Sequence, residues 1–283
     1  KINPNSFKDL RNVGLVINHT SDICDFDITA KKFNCNLEDI NVSVIFSPEH
    51  GLFNDKEAGE FIENDSTLSV PVISLYGGEI ESYLAKSKNQ NLDAIIFDIQ
   101  DVGSRYYTYV STMTEVMNAC SKALIPFYIF DRPNPIGSKI EGPLIEKEYK
   151  SFVGMHEIPI RHGMTIGEIA ILINAYNWLE SGKDVDLYIV KMFGWKRKMF
   201  YDDTGKRFIP PSPNIPDQET ALIYNGTRLI EGTNLSEGRG TEKPFMQIGS
   251  PWLDHERLTK RINKLNLKGF FLKETTFTPK SIK

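Results

Sequence analysis

The chain has 283 residues, 40% apolar and 25% charged, a globular composition that excludes disorder; its length suits one large domain or two smaller ones. With 33 Lys and Arg against 37 Asp and Glu the net charge is −4, and no basic block stands out, which argues against a nucleic-acid partner and against charge-driven membrane binding. No apolar run reaches the roughly 20 residues of a membrane-spanning helix, so no membrane insertion is expected.

The opening KINPNSF shows no signal-peptide pattern. The first half then repeats one unit: a short β-branched run, a polar cluster, and a helical or loop segment. The runs are VGLVI (13–17), VSVIF (42–46), VPVISL (70–75), DAIIFDI (93–99) and PFYIF (126–130). They are continuous rather than alternating, which suits strands covered on both faces. Between them GEIESYLAKSKN and YTYVSTMTEVMNACSKAL read as helices. In the second, Val110, Met113, Met117, Cys120 and Leu124 recur at helical spacing. Strands alternating with helices predict an α/β fold on a mostly parallel sheet.

After about residue 145 the texture changes. MTIGEIAILINAYNWLESG reads as a helix, with Thr165 as N-cap and Glu168 closing a capping box. DLYIVKM is a further strand. Residues 195–250 are rich in Gly, Pro and Asn, the texture of functional loops or a second lobe. SPWLDHERLTKRINKL reads as a helix with Ser250 as N-cap and Pro251 in its first turn. The expected division is 1–145 as an N-terminal α/β domain, and 146–283 as the rest of that domain plus the start of a smaller C-terminal one. The closing FLKETTFTPKSIK lacks an obvious final element, and the natural chain is expected to continue. The odd number of cysteines, Cys24, Cys35 and Cys120, with no C-x-x-C, favours buried thiols over a disulfide scaffold, a zinc site or a redox pair.

The polar residues cluster where the apolar runs end: NHTS (18–21), SPEHG (47–51), YGGE (76–79), QDVGSRYY (100–107) and DRPNP (131–135). In a parallel sheet these exits share one edge, where ligands bind. Pro48 holds Ser47 extended, so Glu49 projects at that edge and Gly51 permits a tight turn. A carboxylate among Phe46, Leu52 and Phe53 is suited to donate a proton; it could instead cap a helix or pair with an arginine. His50 reads as a hydrogen-bonding spacer. Asp98 directly follows an apolar run, and Gln100 and Asp101 are better placed for ligand. Arg105 could bind a carboxylate or neutralise Asp101. Tyr106, Tyr107 and Tyr109 offer stacking faces, Tyr109 falling on the inward helical stripe. Asp131 and Arg132 could pair with each other beside Asn134. Arg161 and His162 precede a helix N-terminus, a place suited to anions. PPSPNIP presents Asn214, and the glycine-rich loop 231–245 carries Glu231, Asn234, Glu237, Arg239 and Lys243.

Several chemistries find no motif here: no phosphate-binding G-x-x-x-x-G-K-[ST], no dinucleotide fingerprint in GRGTEK, no second His for HEIPI, and no G-x-S-x-G. The five histidines are scattered, and no cofactor or metal is expected. Acid–base chemistry by carboxylates remains, with amides and arginines for a polar, acylated substrate.

FSPEHGLF, FDIQDVGSRYYTYVSTM, DRPNPIG, EGPL, IPIRHGMTIGEIA, PPSPNIP and EGTNLSEGRGTEKPF, in order across residues 13–253, resemble a bacterial family of exo-acting β-N-acetylmuramidases. The resemblance implies a Rossmann-like, doubly wound N-terminal domain, a smaller α+β C-terminal domain that continues past Lys283, and a cleft. It implies release of N-acetylmuramic acid from the non-reducing end of peptidoglycan fragments or muropeptides. The family's favoured catalytic glutamate corresponds to Glu49, which tips that residue towards catalysis as general acid. Asp101, Glu237 and Glu231 are then candidates, in that order, for the second carboxylate. Gln100, Asn134, Asn214 and Asn234 would hold N-acetyl and hydroxyl groups, and Arg105, Arg161 or Arg239 a lactyl carboxylate. His50, Tyr107, Asp131 and His162 complete the expected binding set. Such a substrate implies export to the periplasm or exterior. Rival readings are a non-catalytic cell-wall sugar binder and a metal-assisted hydrolase using His50, His162 and nearby aspartates.

Overall fold

The structure, a computed structural model, describes residues 9–27, 32–35, 37, 39–55, 70–76, 80–87 and 92–279. KINPNSF and the Gly77–Glu79 part of the YGGE exit lie outside the described residues. The chain divides into two units, Lys1–Pro213 and Asn214–Lys283.

The first unit is built on β1 (Asn12–Ile17), a β2 (Cys24–Asp27) and β3 (Lys32–Cys35) hairpin, β4 (Asn41–Ser47), β5 (Val72–Ser74), α1 (Ile80–Ser87), β6 (Ala94–Asp98), α2 (Tyr109–Ala123), β7 (Phe127–Phe130), α3 (Ile166–Ala175) and β8 (Leu187–Val190). The main sheet has the order β5-β4-β1-β6-β7-β8, and every pairing in it is parallel. Counting only its strands, that is third, second, first, fourth, fifth, sixth. This is the doubly wound order, with its reversal between β1 and β6. The sheet continues past residue 145, since β8 pairs with β7 in parallel.

The near-continuous apolar runs are explained by burial on both faces. Val13, Leu15, Ile17, Ile45 and Ile96 point to one core, closed by Leu10, Ile23, Cys24, Leu52 and Phe53. The β2–β3 hairpin and the turn after β4 cover this face, with Phe26 edge-on to Phe53. The helices cover the other face: Tyr83 of α1 packs edge-on against Phe46, and Gly167 of α3 comes so near Ile189 that a Cβ would sit 2.9 Å from its Cγ2. Gly14 lies on this face too, and any side chain there would strike Ile95. Each fully buried Leu or Ile contributes about 1.5–3 kcal/mol.

The cysteine expectation is corrected. Cys24 and Cys35 face each other across the hairpin and form a disulfide, and only Cys120 is a free, buried thiol. Their pairing is a cross-strand register, which the count of cysteines did not disclose. The Thr165–Glu168 capping box of α3 is present as expected.

The second unit carries α4 (Gln218–Thr227) and α5 (His255–Asn263). Among its described residues there is an isolated bridge between Ser236 and Gly249, but no strand. The helix expected from Ser250 begins later. Pro251 and Trp252 form a turn, and Asp254 is the N-cap, accepting from the Arg257 N–H at 2.9 Å.

Candidate active site

Because the strands are parallel, β1, β4 and β6 open on the same edge, and β1 and β6 flank the reversal where such sheets form a crevice. Backbone bonds lace these exits together. The His19 N–H donates to the Leu52 carbonyl at 2.9 Å, and the Gln100 N–H to Thr20 Oγ1 at 3.0 Å. Thr20 in turn donates its hydroxyl to Asn18 Oδ1 at 2.6 Å.

Glu49 sits in a tight turn closed by Gly51 N–H donating to the Pro48 carbonyl at 3.0 Å. His50 takes φ 74° there, a left-handed conformation costing a non-glycine residue about 1–2 kcal/mol. Glu49 is buried, and its Oε2 accepts from the Thr108 hydroxyl at 2.7 Å. Thr108 stands at the N-cap of α2 yet makes no side-chain cap bond to the helix, its hydroxyl being turned to Glu49. Glu49 thus lies at the sheet edge beside the N-terminus of α2, bonded there to the hydroxyl of its N-cap residue.

Asp101 leaves β6 on the same edge. Its Oδ2 accepts from the Gly103 N–H at 2.7 Å, while Oδ1 is buried without a partner. Burial pushes this carboxyl up to about 7, partly offset by the backbone N–H groups of Gly103 and Val102. His162 Nε2 lies 3.9 Å from Asp101 Oδ2 and also lacks a hydrogen-bond partner. Its Nδ1 accepts from the Met164 N–H at 3.2 Å, and burial drives the imidazole down to about 4. His162 is therefore neutral and sits against a carboxylate, not as a cation awaiting an anion. Both Glu49 and Asp101 help to raise the Tyr109 phenol above its ordinary range, after burial itself. Tyr109 is fully buried, as its helical position predicts, and its hydroxyl donates to the Pro211 carbonyl at 2.7 Å. His19, not singled out from the sequence, joins this edge. Its Nε2 lies 2.8 Å from the Pro210 carbonyl, and burial lowers its proton affinity, with His50 a lesser cause. The NHTS exit was the available signal.

Other expected binding residues are engaged in the fold. Arg132 pairs with Asp98 and Asp22, each at 2.7 Å, and not with Asp131. Asp131 instead anchors the start of α3, accepting from the Gly167 N–H at 2.9 Å and the Thr165 hydroxyl at 3.0 Å. Arg105 does not neutralise Asp101; its Nη1 donates to the carbonyls of Pro143 and Ile158 at 2.7 and 2.6 Å. Arg161 is bound to Glu141 and to the Ile136 carbonyl. Asn134 spans Met164 and Ile136. Gln100 spends its amide N–H groups on the Asp101 and Pro133 carbonyls, leaving Oε1 buried and unpartnered. The Tyr107 ring is buried edge-on to Tyr109 at 4.8 Å, so it presents no open stacking face. These residues lie close to the edge, and extended loops folded back on themselves take up their terminal Nη and amide donors, while Nε of Arg105 and of Arg161 is buried without a partner.

Asn214, Glu231, Asn234, Glu237 and Arg239 belong to the second unit. There Arg239 Nε donates to Glu231 Oε1 at 2.9 Å and meets Glu237 Oε1 at 3.1 Å, while Arg228 pairs with Glu231. Asn234 is exposed and Asn214 half-buried. His255, Glu256 and Glu274, all exposed in this unit, are the described groups close enough together to hold an ion; His50 and His162 form no such group.

Comparison with known proteins gives the family. The family model for the N-terminal domain of the exo-β-N-acetylmuramidase NamZ matches residues 13–219, and that for its C-terminal domain matches 222–283. The chain belongs to this family. Peptidoglycan β-N-acetylmuramidase NamZ of Bacillus subtilis (strain 168) is 48% identical over 244 residues, covering 85% of this chain and 58% of that relative. The chain therefore spans a little over half the length of that family member. Two crystal structures from Bacteroides fragilis NCTC 9343, both titled DUF1343 family proteins, are 36% and 35% identical, with TM-scores of 0.81 and 0.73. They are matched over 97% and 99% of this chain, and over 70% and 68% of their own lengths. The boundary between the two family domains, between residues 219 and 222, lies within ten residues of the division after Pro213.

Proposed function

We propose that this chain is an exo-acting glycoside hydrolase, releasing N-acetylmuramic acid from the non-reducing end of peptidoglycan fragments. The observation that carries this reading is a buried Glu49, held by Thr108 at the edge of a doubly wound sheet in a chain of the muramidase family. Glu49 is the general acid that protonates the glycosidic oxygen. Placing it on a strand exit braced by α2 fixes its direction before substrate arrives. Of the other carboxylates, Glu231 and Glu237 share Arg239, whereas Asp101 has an unpartnered oxygen and, among the described residues, no Lys or Arg in an ion pair with it. That favours Asp101 as the second group.

Such a substrate lies outside the cytoplasmic membrane, so export to the periplasm or exterior belongs to the same reading. The Cys24–Cys35 disulfide supports it, since such bonds persist in oxidising compartments.

The test is release of chromophore from an aryl β-N-acetylmuramide, with the matching glucosaminide and a chelator as controls. Wild type is expected to cleave the muramide alone, unaffected by chelator. Glu49→Gln is expected to lose about a hundredfold or more. Muropeptide binding without turnover would instead establish a sugar-binding protein, and loss of activity with chelator a metal-assisted hydrolase.

A further inference from the structure

We propose that Asp101 and His162 together hold and activate the water that attacks the sugar, so that hydrolysis inverts the anomeric centre. This rests on the muramidase reading above and assigns the second half of its chemistry.

The two side chains are more than nine-tenths buried, and Asp101 Oδ2 and His162 Nε2 are 3.9 Å apart. That is too long for a direct hydrogen bond, but an oxygen about 2.8 Å from both fits between them. Of the two atoms it would bridge, His162 Nε2 is unpartnered and Asp101 Oδ2 accepts the Gly103 N–H, with a lone pair left for the water; the other carboxylate oxygen, Oδ1, is unpartnered as well. The Met164 N–H donating to Nδ1 fixes the tautomer, so Nε2 carries the proton. A bridging water then accepts from Nε2–H and donates to Asp101, which leaves a lone pair directed away from both.

The step balances without a further reagent. The water oxygen bonds to the anomeric carbon while its proton passes to the Asp101 carboxylate. The glycosidic C–O bond breaks, and its oxygen takes the proton of Glu49. Asp101 ends protonated and Glu49 ionised, and solvent restores both. A carboxyl pushed up to about 7 by burial is basic enough to take that proton and still substantially ionised near neutrality. A neutral His162 remains a donor throughout. The other groups facing Asp101 are the Tyr109 phenol on α2 and the backbone N–H groups of Val102 and Gly103. His162 acts through the water and Asp101, and is a positioning residue.

The experiment follows aryl β-N-acetylmuramides with good and poor leaving groups, for wild type, Glu49→Gln, Asp101→Asn, His162→Gln and His162→Leu. NMR identifies the first-formed anomer from wild type. Inversion predicts the α anomer. Asp101→Asn is expected to lose about a hundredfold or more with both leaving groups, because every substrate needs the base. The loss in Glu49→Gln should shrink with the good leaving group. His162→Gln, which keeps an N–H donor, should stay within about threefold of wild type. His162→Leu should lose about tenfold, and the acidic limb of its kcat/KM profile should move to higher pH. A β anomer first, or Asp101→Asn within threefold of wild type, overturns the inference. The anomer readout needs no variant to fold. Absence of any muramide release by wild type would instead remove the underlying muramidase reading.

Discussion

Asp98 and Asp101 stand three residues apart on the same sheet edge, both buried, and their circumstances are opposite. Asp98 accepts from the Ser21 hydroxyl at 2.7 Å, from the N–H groups of Asp22 and Ile23 at 2.7 and 3.0 Å, and from Arg132 at 2.7 Å. Asp101 has the N–H groups of Gly103 and Val102, a neutral imidazole 3.9 Å away and an oxygen without a hydrogen-bond partner. Burial alone does not mark a functional carboxylate. A saturated one holds loops in place, whereas an under-satisfied one is kept at a cost, and such costs concentrate at functional sites.

The largest stability effect is expected at Asp98. Asp98→Ala takes from a buried guanidinium its buried carboxylate partner, leaving only the half-exposed Asp22, and releases the loop after β1; it should cost about 3–5 kcal/mol in denaturant unfolding. Asp101→Asn, by contrast, should leave stability at pH 7.5 equal to wild type or higher, because it removes a carboxylate that folding disfavours. If both variants were destabilised alike, the distinction between the two aspartates would collapse.

A somewhat smaller effect is expected from cutting the hairpin that follows the Asp98-anchored loop. The Cys24–Cys35 bridge spans a sequence separation of 11, and closing a loop of that size is worth roughly 3 kcal/mol. Cys24→Ser with Cys35→Ser should lower the denaturant midpoint accordingly, and adding reductant to wild type should reproduce the loss.

The smallest effect is a change of slope with pH. Asp101 is raised in the folded state from 3.8 to about 7, so its contribution is present below pH 3.8 and lost as pH rises towards 7. His162 is lowered from 6.5 to about 4, so its contribution is present above pH 6.5 and lost as pH falls towards 4. Between pH 4 and 6.5 the two oppose each other. Asp101→Asn should therefore lose stability more steeply than wild type on acidification through this window, and His162→Gln less steeply. Urea midpoints at half-unit pH steps would show it. Glu115 and His156 also shift, but they are common to all three proteins and cancel in the comparison.

The sequence by itself determined the parallel α/β class, since continuous apolar runs separated by helical periods have few other solutions. It also placed Glu49 and Asp101 at strand exits, because a strand's end and a Pro-Glu-His-Gly turn are local features. It marked Thr165–Glu168 as a helix start for the same reason. Pairing across distance was not legible. That Arg132 reaches Asp98 and Asp22, that Cys24 meets Cys35, and that Arg105 and Arg161 spend their donors on loops follow only from where the chain returns. The tertiary structure alone decided which polar residues are satisfied and which are left wanting. A residue's own chemistry states how many hydrogen bonds it needs; only the packed fold determines how many it finds.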